Sequence, residues 1–506
     1  MARAFKKVLV ANRGEIAVRV IRTLREMGIA SVAVYSDADR AGLHVRMADE
    51  AHPIGPAPAA ESYLRAEKIV AVAKECGAEA IHPGYGFLSE NPVLPEACEA
   101  AKITFIGPPA SAMRQMGSKT AARKRMAEAG VPVTPGAMCD STEEATAAAK
   151  KIGFPVMLKA ASGGGGKGMR LVSNEGEMAS AWERARSEAK KFFGDDTVYI
   201  EKAIERPRHV EIQVLGDREG NTVHVFERDC SIQRRNQKVV EETPSPAAPP
   251  ELVAKMGAIA VQGAKAVGYY SAGTFEFLLA PDGNFYFLEM NTRLQVEHPV
   301  TELVTGTDLV REMVLIAQGE KLSFAQTDLV SRGAAIQCRV YAEDPASGFL
   351  PSPGTIHELT VPSGPGIRDD GGAYPGCTIS SFYDPLISKL CVWAPTRARA
   401  VQKMRRALSE YVVTGIRTNL AFHQRLFDHP DFVAGQYDTG FLERNKDALL
   451  GYETVPEARR EAVAVAIAVA ASRLERATGV RSAEQGESGA RTSPWVAQHR
   501  ARGWRS

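Results

Sequence analysis

Residues 285–297 read Phe-Tyr-Phe-Leu-Glu-Met-Asn-Thr-Arg-Leu-Gln-Val-Glu, with a polar or charged side chain at every second position from 289 onward. If the segment is extended, these side chains share one face, which the core of an ordinary strand would not tolerate. The row consists of Glu289, Asn291, Arg293, Gln295 and Glu297. Carboxylate and amide oxygens suit Mg²⁺, and a guanidinium suits an anion. The stretch therefore predicts the floor of an active site that handles a divalent cation, an anion and a base.

Composition and charge limit the class of function. The chain has 506 residues, enough for several domains, with 62 Lys and Arg against 60 Asp and Glu. A balanced charge gives no general attraction to nucleic acid or to an anionic membrane, so we expect neither partner. The cysteines form no Cys-x-x-Cys pair, the N-terminus has no signal peptide, and the apolar run 462–471 is too short to span a bilayer. These features predict a cytoplasmic protein.

The order of predicted elements indicates several units. Residues 8–115 alternate strand-like and helix-like segments, which is typical of a parallel sheet with helical crossovers. A β-rich α+β region, a mixed segment and an Ala/Val helix with a basic end follow. We predict domains at 1–115, 116–330 and 331–447 and a tail at 448–506. The first strand is not followed by Gly-x-Gly-x-x-Gly, which disfavours dinucleotide binding.

A glycine-rich loop lies between two predicted strands, Val156–Lys159 and Met169–Val172. It reads Ser-Gly-Gly-Gly-Gly-Lys-Gly over residues 162–168, with Lys159 before it and Lys167 within it. The backbone N–H groups of such a hairpin can close over a triphosphate, and the lysines supply charge. A Walker or Rossmann interpretation would need a helix after the loop, and a plain flexible turn is the alternative.

Glu276 is a carboxylate in the otherwise apolar strand Thr274–Leu278. Burying it unpaired would cost several kcal/mol, so it needs a cation. With Glu289 and Asn291 it offers hard oxygen ligands for Mg²⁺. A structural salt-bridge network is the alternative.

Two further strands carry charge. Glu201 and Lys202 end a β-like run and are candidates for the edge of an adenine site, with a surface ion pair as the alternative. His209 and Glu211 share one face of the next strand, and a half-exposed strand would look the same.

The basic segment 229–238 is predicted to be a loop and, taken alone, indicates a solvated surface. Arg339 differs because it alternates with apolar neighbours on a predicted strand. Its guanidinium should therefore project towards an anion, with an interdomain salt bridge as the alternative.

Together these elements resemble the biotin carboxylase component of biotin-dependent acyl-CoA carboxylases, in the ATP-grasp superfamily, from about residue 5 to 446. The matching stretches are Ala11–Ala17, His82–Asn91, the glycine loop, Arg234–Lys238, Glu289–Arg293 and Glu297–Glu302. The resemblance implies an α/β and α+β multidomain fold with a Rossmann-like N-terminal domain, an ATP-grasp domain and a C-terminal mixed α/β domain. A mobile glycine-loop lid would span about 132–203.

The resemblance also implies carboxylation of biotin by bicarbonate, driven by ATP with Mg²⁺ (or Mn²⁺) through carboxyphosphate. The implied ATP contacts are Lys119, Lys159, Gly164, Gly165, Gly166, Glu201, Lys202, Ile204, His209, Gln233 and Glu276. The implied metal ligands are Glu276, Glu289 and Asn291. The implied bicarbonate site comprises Lys238, Arg293, Gln295, Val296 and, as the base, Glu297. Arg339 would stabilise the biotin enolate, and Tyr85 would also contact biotin.

The sequence contains no biotin-attachment motif of the Ala-Met-Lys-Met type and no carboxyltransferase region. The resemblance therefore implies two partners, a biotin carboxyl carrier protein and a carboxyltransferase, in a homodimer or a larger hetero-complex, with the tail docking a partner. Asn236 stands where acetyl-CoA-type subunits often have His and favours the propionyl-CoA branch. The alternatives are one of the chains of a two-subunit pyruvate carboxylase, another ATP-grasp ligase such as half of a carbamoyl phosphate synthetase, and a silent nucleotide-binding assembly subunit.

Overall fold

The computed structural model describes residues 4–160 and 169–450 and, in the tail, 461–462, 464–469 and 472. Residues 1–450 group into one unit and residues 451–506 into a second. Gly164, Gly165 and Gly166 of the glycine loop, and most of the predicted tail, lie outside the described residues. The described tail residues are helical, as the Ala/Val run predicts. Among the helices of the described ranges, none is long and apolar enough to cross a membrane.

Helices punctuate the whole chain. They are α1 (Gly14–Glu26), α2 (Leu43–Met47), α3 (Ala66–Glu75), α4 (Val93–Ala100), α5 (Ala110–Gly117), α6 (Lys119–Glu128), α7 (Thr142–Ile152), α8 (Met178–Phe193), α9 (Pro250–Ala266), α10 (His298–Thr305), α11 (Leu309–Gln318), α12 (Arg397–Glu410), α13 (Leu420–Asp428), α14 (Pro430–Val433), α15 (Phe441–Arg444) and α16 (Lys446–Leu450). The predicted helix at 66–75 is confirmed.

The N-terminal part is a parallel sheet with helices on both faces, which confirms the Rossmann-like prediction. Its strands are β1 (Lys7–Val10), β2 (Ala30–Ser36), β3 (Glu50–Gly55), β4 (Ala80–His82) and β5 (Thr104–Phe105), in the order β3-β2-β1-β4-β5. Side chains alternate along a strand. Val8 and Val10 therefore pack with α1, whereas Leu9 packs on the opposite face with α3.

Residues 136–202 form a smaller antiparallel sheet. Its strands are β6 (Gly136–Cys139), β7 (Val156–Ala160), β8 (Met169–Val172) and β9 (Val198–Lys202), in the order β6-β9-β7-β8. The strands predicted on either side of the glycine loop are therefore present. The core around the buried Trp182 draws its residues from this segment, with α7 and α8 packed on the sheet. A core of its own is what a lid needs to move as a body, and movement of 132–203 stays a prediction.

The largest sheet runs through the rest of the molecule. Its strands and the short strands beside it are β10 (Arg208–Gly216), β11 (Thr222–Arg234), β12 (Gln237–Thr243), β13 (Ser271–Leu279), β14 (Phe285–Asn291), β15 (Ala334–Tyr341), β16 (Glu343–Asp344), β17 (Leu350–Pro351), β18 (Gly354–Thr355), β19 (Glu358–Thr360), β20 (Ile367–Gly371), β21 (Thr378–Ile379), β22 (Leu386–Ala394) and β23 (Val412–Thr414). Eight of them pair antiparallel in the order β14-β13-β10-β11-β12-β15-β22-β20. The sheet continues across the predicted boundary at 330/331, and the domain boundaries stay predictions.

The prediction of a basic loop at 229–238 is wrong, because most of this segment is β-strand. β11 continues to Arg234, which pairs with Gln237 of β12 across a two-residue turn. Arg235 (φ 51°) and Asn236 (φ 63°) both have positive φ, as a turn whose twist matches the flanking strands requires. This hairpin places Lys238 opposite Gln233, within the sheet.

The expectation that 289–297 is one extended segment is also wrong. β14 ends at Asn291, and residues 292–297 form an irregular turn that leads into α10. The polar side chains of this turn still converge, through contacts that alternation does not predict.

Candidate active site

Three glutamates lie side by side across β10, β13 and β14. Glu211 pairs with Glu276, and Glu276 pairs with Glu289. Strict alternation along β14 would place Glu289 with the buried Phe285 and Phe287. A β-bulge just after Glu276 shifts the register and turns Glu289 to the other face. Like charges placed directly opposite one another destabilise a sheet, so this row needs cations.

The ammonium of Lys238 lies among these carboxylates. Its Nζ is 2.5 Å from Glu211, 2.7 Å from Glu276 and 2.6 Å from Glu297, and 3.5 Å from the Gln295 amide oxygen. Burial by itself would lower the pKa of Lys238, but the three carboxylates raise it well above its ordinary value. Lys238 therefore remains a cation in the interior.

Glu297, the predicted base, is fully buried at the start of α10. Its Oε1 accepts a hydrogen bond from Lys238, and its Oε2 accepts one from Arg339 at 3.0 Å. Burial raises the pKa of Glu297, but Lys238, Arg339 and the buried Arg228 together hold it well below the usual range. The residue is an ionised carboxylate between two donors.

Arg339 bridges two carboxylates with one guanidinium. Its Nε donates to Glu241 at 2.6 Å while its Nη2 donates to Glu297. Burial raises the pKa of Glu241 to about 7, although Arg339 opposes this shift. Because Glu241 lies on the neighbouring β12, Arg339 is paired within its own sheet. Arg339 projects towards anionic groups as predicted, but these are carboxylates of the predicted 116–330 domain, so the interdomain salt bridge given as the alternative is present and a contact with biotin stays a prediction.

The turn after β14 is organised by Glu90, which is far away in the sequence. Glu90 accepts a hydrogen bond from the Thr292 backbone at 3.0 Å and one from Arg293 Nε at 2.7 Å. Arg293 Nη2 donates to Asn291 at 2.9 Å, and Gln295 Nε2 is 3.2 Å from Glu276 Oε1. The predicted bicarbonate residues, including Val296 in the same turn, are thus brought together around the Lys238 cluster.

Two residues predicted to contact ATP, Gln233 and His209, are connected to the Lys238 cluster through Glu276. Gln233 Nε2 is 2.7 Å from His209 Nδ1, and His209 Nε2 is 3.1 Å from Glu276 Oε2. Burial lowers the pKa of His209, but the charge of Glu276 outweighs it, so the net shift is upward. His209 and Glu211 are both buried, so the half-exposed alternative for this strand is wrong.

The lid residues are engaged with one another. Lys159 Nζ is 2.5 Å from Glu201, whose other oxygen accepts hydrogen bonds from Arg123 and Thr134 at 3.0 Å. Lys202 does not pair with Glu201, because it donates to two backbone carbonyls in the turn before β7. The alternative interpretation, a surface ion pair between Glu201 and Lys202, is therefore wrong. Adenine binding by these two residues stays a prediction.

Three further residues predicted to bind nucleotide or biotin are Lys119, Ile204 and Tyr85. The charge of Lys119, the first residue of α6, lowers the pKa of Glu289 and so places Lys119 near that carboxyl. Ile204 is partly buried just beyond β9. The hydroxyl of Tyr85 is buried without a hydrogen-bond partner among the described residues. Nucleotide and biotin contacts by these residues stay predictions.

The residues fit a divalent cation. Burial and the neighbouring charge of Glu276 raise the pKa of Glu289, so the two carboxyls repel each other. With the amide oxygen of Asn291, which here accepts a hydrogen bond from Arg293, they would offer the hard oxygen ligands that Mg²⁺ prefers. A cation bound there would relieve the repulsion.

Sequence reasoning missed several residues of the site: Glu90, Arg228, Glu241 and, as a partner of Lys238, Glu211. Glu211 alternates with apolar residues and Glu241 follows two valines, which is a signal that the sequence offers, whereas Glu90 and Arg228 stand among other polar or charged residues and have none. Arg228 is fully buried and donates to Glu211 at 2.5 Å and to Gln213 at 2.8 Å.

Comparison with known proteins shows the family of the chain. Three family models match in succession: biotin carboxylase, N-terminal domain, over residues 4–113; carbamoyl-phosphate synthase L chain, ATP binding domain, over 118–325; and biotin carboxylase C-terminal domain, over 337–444. The chain is 53% identical over 441 residues to biotin carboxylase 1 of Bacillus subtilis (strain 168), covering 87% of this chain and 98% of that protein. It is 50% identical over 503 residues to the propionyl-CoA carboxylase alpha chain of Ruegeria pomeroyi, covering 94% and 74%.

A solved structure is similarly close. The biotin carboxylase domain dimer of Hydrogenobacter thermophilus 2-oxoglutarate carboxylase, in complex with MgADP, ADP and bicarbonate, matches with a TM-score of 0.84 at 49% identity, covering 88% of this chain and 99% of that one. The fold is that of an ATP-grasp ligase. Within that class, the chain belongs to the biotin carboxylase family and is an ATP-dependent biotin carboxylase. The interpretation as a carbamoyl phosphate synthetase half is thereby excluded.

Proposed function

We propose that this enzyme uses ATP, Mg²⁺ and bicarbonate to carboxylate biotin that is attached to a separate carrier protein, as the first half-reaction of an acyl-CoA carboxylase. The observation that carries the proposal is the position of Glu297, a buried carboxylate between Lys238 and Arg339. A catalytically silent protein would have no need to keep the charged groups of this cluster buried. The bound MgADP and bicarbonate of the Hydrogenobacter thermophilus relative also support it.

The nucleotide would lie between the eight-stranded sheet and the predicted lid, residues 132–203. Lys119 and Lys159 supply charge for the phosphates, while His209 and Gln233 bind the nucleotide from β10 and β11. Glu276, Glu289 and Asn291 would hold Mg²⁺, which neutralises phosphate charge when bound. Phosphoryl transfer mainly requires such positioning and charge neutralisation.

Bicarbonate would bind beside Lys238, Arg293 and Gln295, within reach of Glu297. Lys238 and Arg339, together with the buried Arg228, hold the pKa of Glu297 low, which keeps it ionised but makes it a weak base. An incoming anion shares those cations with Glu297 and so raises its basicity at the moment when a proton must be removed. The deprotonated bicarbonate attacks the γ-phosphorus of ATP, forming carboxyphosphate and releasing ADP.

Carboxyphosphate then breaks into CO₂ and phosphate. The phosphate takes the proton from the biotin ureido nitrogen, and the resulting enolate attacks CO₂ through that nitrogen. The negative charge that develops on the ureido oxygen is stabilised by the Arg339 guanidinium. Tyr85 would contact biotin at the same place.

The partners follow from this chemistry. We propose a biotin carboxyl carrier protein and a separate carboxyltransferase, in a homodimeric or larger assembly. Asn236 and the broad coverage by the propionyl-CoA carboxylase alpha chain support an acyl-CoA acceptor. A pyruvate carboxylase chain of Methanothermobacter thermautotrophicus, 52% identical over 441 residues, makes pyruvate the second candidate.

The test is ATP hydrolysis by the purified chain with Mg²⁺ and bicarbonate, with and without free biotin. We expect hydrolysis that requires bicarbonate and rises with biotin. A rate that does not respond to biotin would contradict the proposed function. Addition of a carboxyltransferase with propionyl-CoA or pyruvate then separates the two acceptors.

A further inference from the structure

A second cluster of charged groups lies directly behind Arg339, and the mechanism above uses none of them. Arg339 on β15 pairs with Lys389 on β22, so the two side chains share one face of the sheet. Lys389 is fully buried. Its Nζ lies 3.0 Å from Glu15 and 3.9 Å from Asp370.

The polar atoms of this cluster are poorly satisfied. Nζ of Lys389 and Oε2 of Glu15 have each other at 3.0 Å, whereas within the described part of the chain Oε1 of Glu15 and the hydroxyl of the neighbouring Tyr85 are buried without a hydrogen-bond partner. Buried polar groups are normally bonded, and an ion pair of this kind gives little stability compared with apolar side chains of the same size. The cost of keeping these charges suggests a role other than stability.

The cluster neighbours both residues assigned to biotin, Tyr85 beside the Lys389 ammonium and Arg339 across the pairing of β15 with β22. The Lys389 ammonium lies 5.5 Å from the centre of the Tyr85 ring. Arg339 is close enough to Glu15 that its charge lowers the pKa of that carboxyl, although burial prevails and raises the pKa to about 7. The backbone of Glu15 packs closely against Gly372, since a Cβ at that position would come within 2.7 Å of the Glu15 N atom.

We propose that Lys389 and Glu15 are positioning residues for the biotin half of the reaction. Lys389 neutralises Glu15 and repels the guanidinium of Arg339, which keeps Arg339 directed towards Glu297 and the biotin ureido oxygen. Without Lys389, the buried Glu15 would need another cation to stay ionised, and Arg339 is a cation within electrostatic reach, so its guanidinium would turn away from Glu297 towards Glu15. The inference rests on the proposed function, and it concerns the transfer to biotin rather than the activation of bicarbonate.

The test compares two rates in the full chain: bicarbonate-dependent ATP hydrolysis without biotin, and kcat/KM for biotin. We expect Lys389→Met to lower kcat/KM for biotin about 100-fold, as misplacement of a reacting group does, while the biotin-free rate stays within about twofold of the wild type. Glu15→Gln combined with Lys389→Met should recover much of that loss, because no carboxylate remains to attract Arg339. Lys389→Arg should restore biotin use.

Ser388→Ala is the matched control, because Ser388 is the neighbouring buried residue of β22 and bonds Asp369 and Tyr411 instead. It should change neither rate. If Lys389→Met lowers both rates equally, or lowers neither, the positioning role is overturned. If Lys389→Met does not fold, the double variant carries the test: a selective loss of biotin use of about tenfold supports the proposal, and an equal loss of both rates or no loss overturns it. If ATP hydrolysis by the wild type does not respond to biotin, the proposed function itself is contradicted.

Discussion

The ammonium of Lys238 lies 2.6 Å from Oε1 of Glu297, and the same ammonium contacts Glu211 and Glu276. One cation thus connects the carboxylate that would remove a proton to a carboxylate that would hold Mg²⁺. Because the contacts are buried, a change in charge at either end is felt at the other. Occupation of the metal site and basicity of Glu297 should therefore be coupled.

Replacement of Glu297 tests its role as the base. We expect Glu297→Gln to lower biotin-dependent turnover about 10²- to 10⁴-fold, because a general base contributes that much, while ATP affinity changes little. Steady-state kinetics and calorimetric titration with ATP measure the two quantities. Glu312→Gln, a buried glutamate of α11, is the control. Near-normal turnover in the Glu297 variant would remove it from this role.

Removal of the Lys238 charge should change the pH dependence. The ammonium lowers the pKa of Glu297 by stabilising its ionised form, so Lys238→Gln should raise that pKa. Activity that needs the carboxylate would then be lost at a higher pH as the solution is acidified. The measurement is kcat/KM for bicarbonate against pH. An acidic limb that does not move upward would show that Glu297 does not control it.

Glu289 should govern the response to Mg²⁺. We expect Glu289→Gln to raise the apparent dissociation constant of Mg²⁺ at least about 10-fold, because it removes a hard ligand, whereas Tyr286→Phe on the same strand should not. The pKa of Glu289 is raised, so it takes up a proton at a higher pH than an ordinary glutamate. Mg²⁺ affinity in the wild type should accordingly weaken as pH falls. Equal Mg²⁺ dependence in variant and wild type would exclude Glu289 as a ligand.

Arg228 should matter for stability. It is fully buried and pairs with Glu211. Arg228→Met therefore leaves the buried Glu211 carboxylate without the Arg228 guanidinium and should cost about 3–5 kcal/mol of unfolding free energy. Combining it with Glu211→Leu should reduce the loss, because both charges are then removed. Urea denaturation measures both variants. A double variant no more stable than Arg228→Met would contradict this account of the pair.

Much of the architecture follows from local patterns. Short apolar β-like runs identify β13 and β14, and the succession of strands and helices identifies the parallel N-terminal sheet. The charged residues in those strands also mark the site, because an isolated carboxylate in an apolar strand requires a cation. These properties depend on neighbours in the chain, so a single sequence contains them.

The sequence by itself determined the types of element and the residues capable of the chemistry, whereas the tertiary structure decided which of those residues meet. The end of β14 at Asn291 and the tight turn at Arg235 and Asn236 contradicted two local expectations, because where a strand ends and what it pairs with depend on other strands. Glu90 reaches Arg293 across 203 positions of sequence. Such contacts depend on how distant segments pack. The charge of a buried group is balanced by residues that are close in space and can be far away in the sequence.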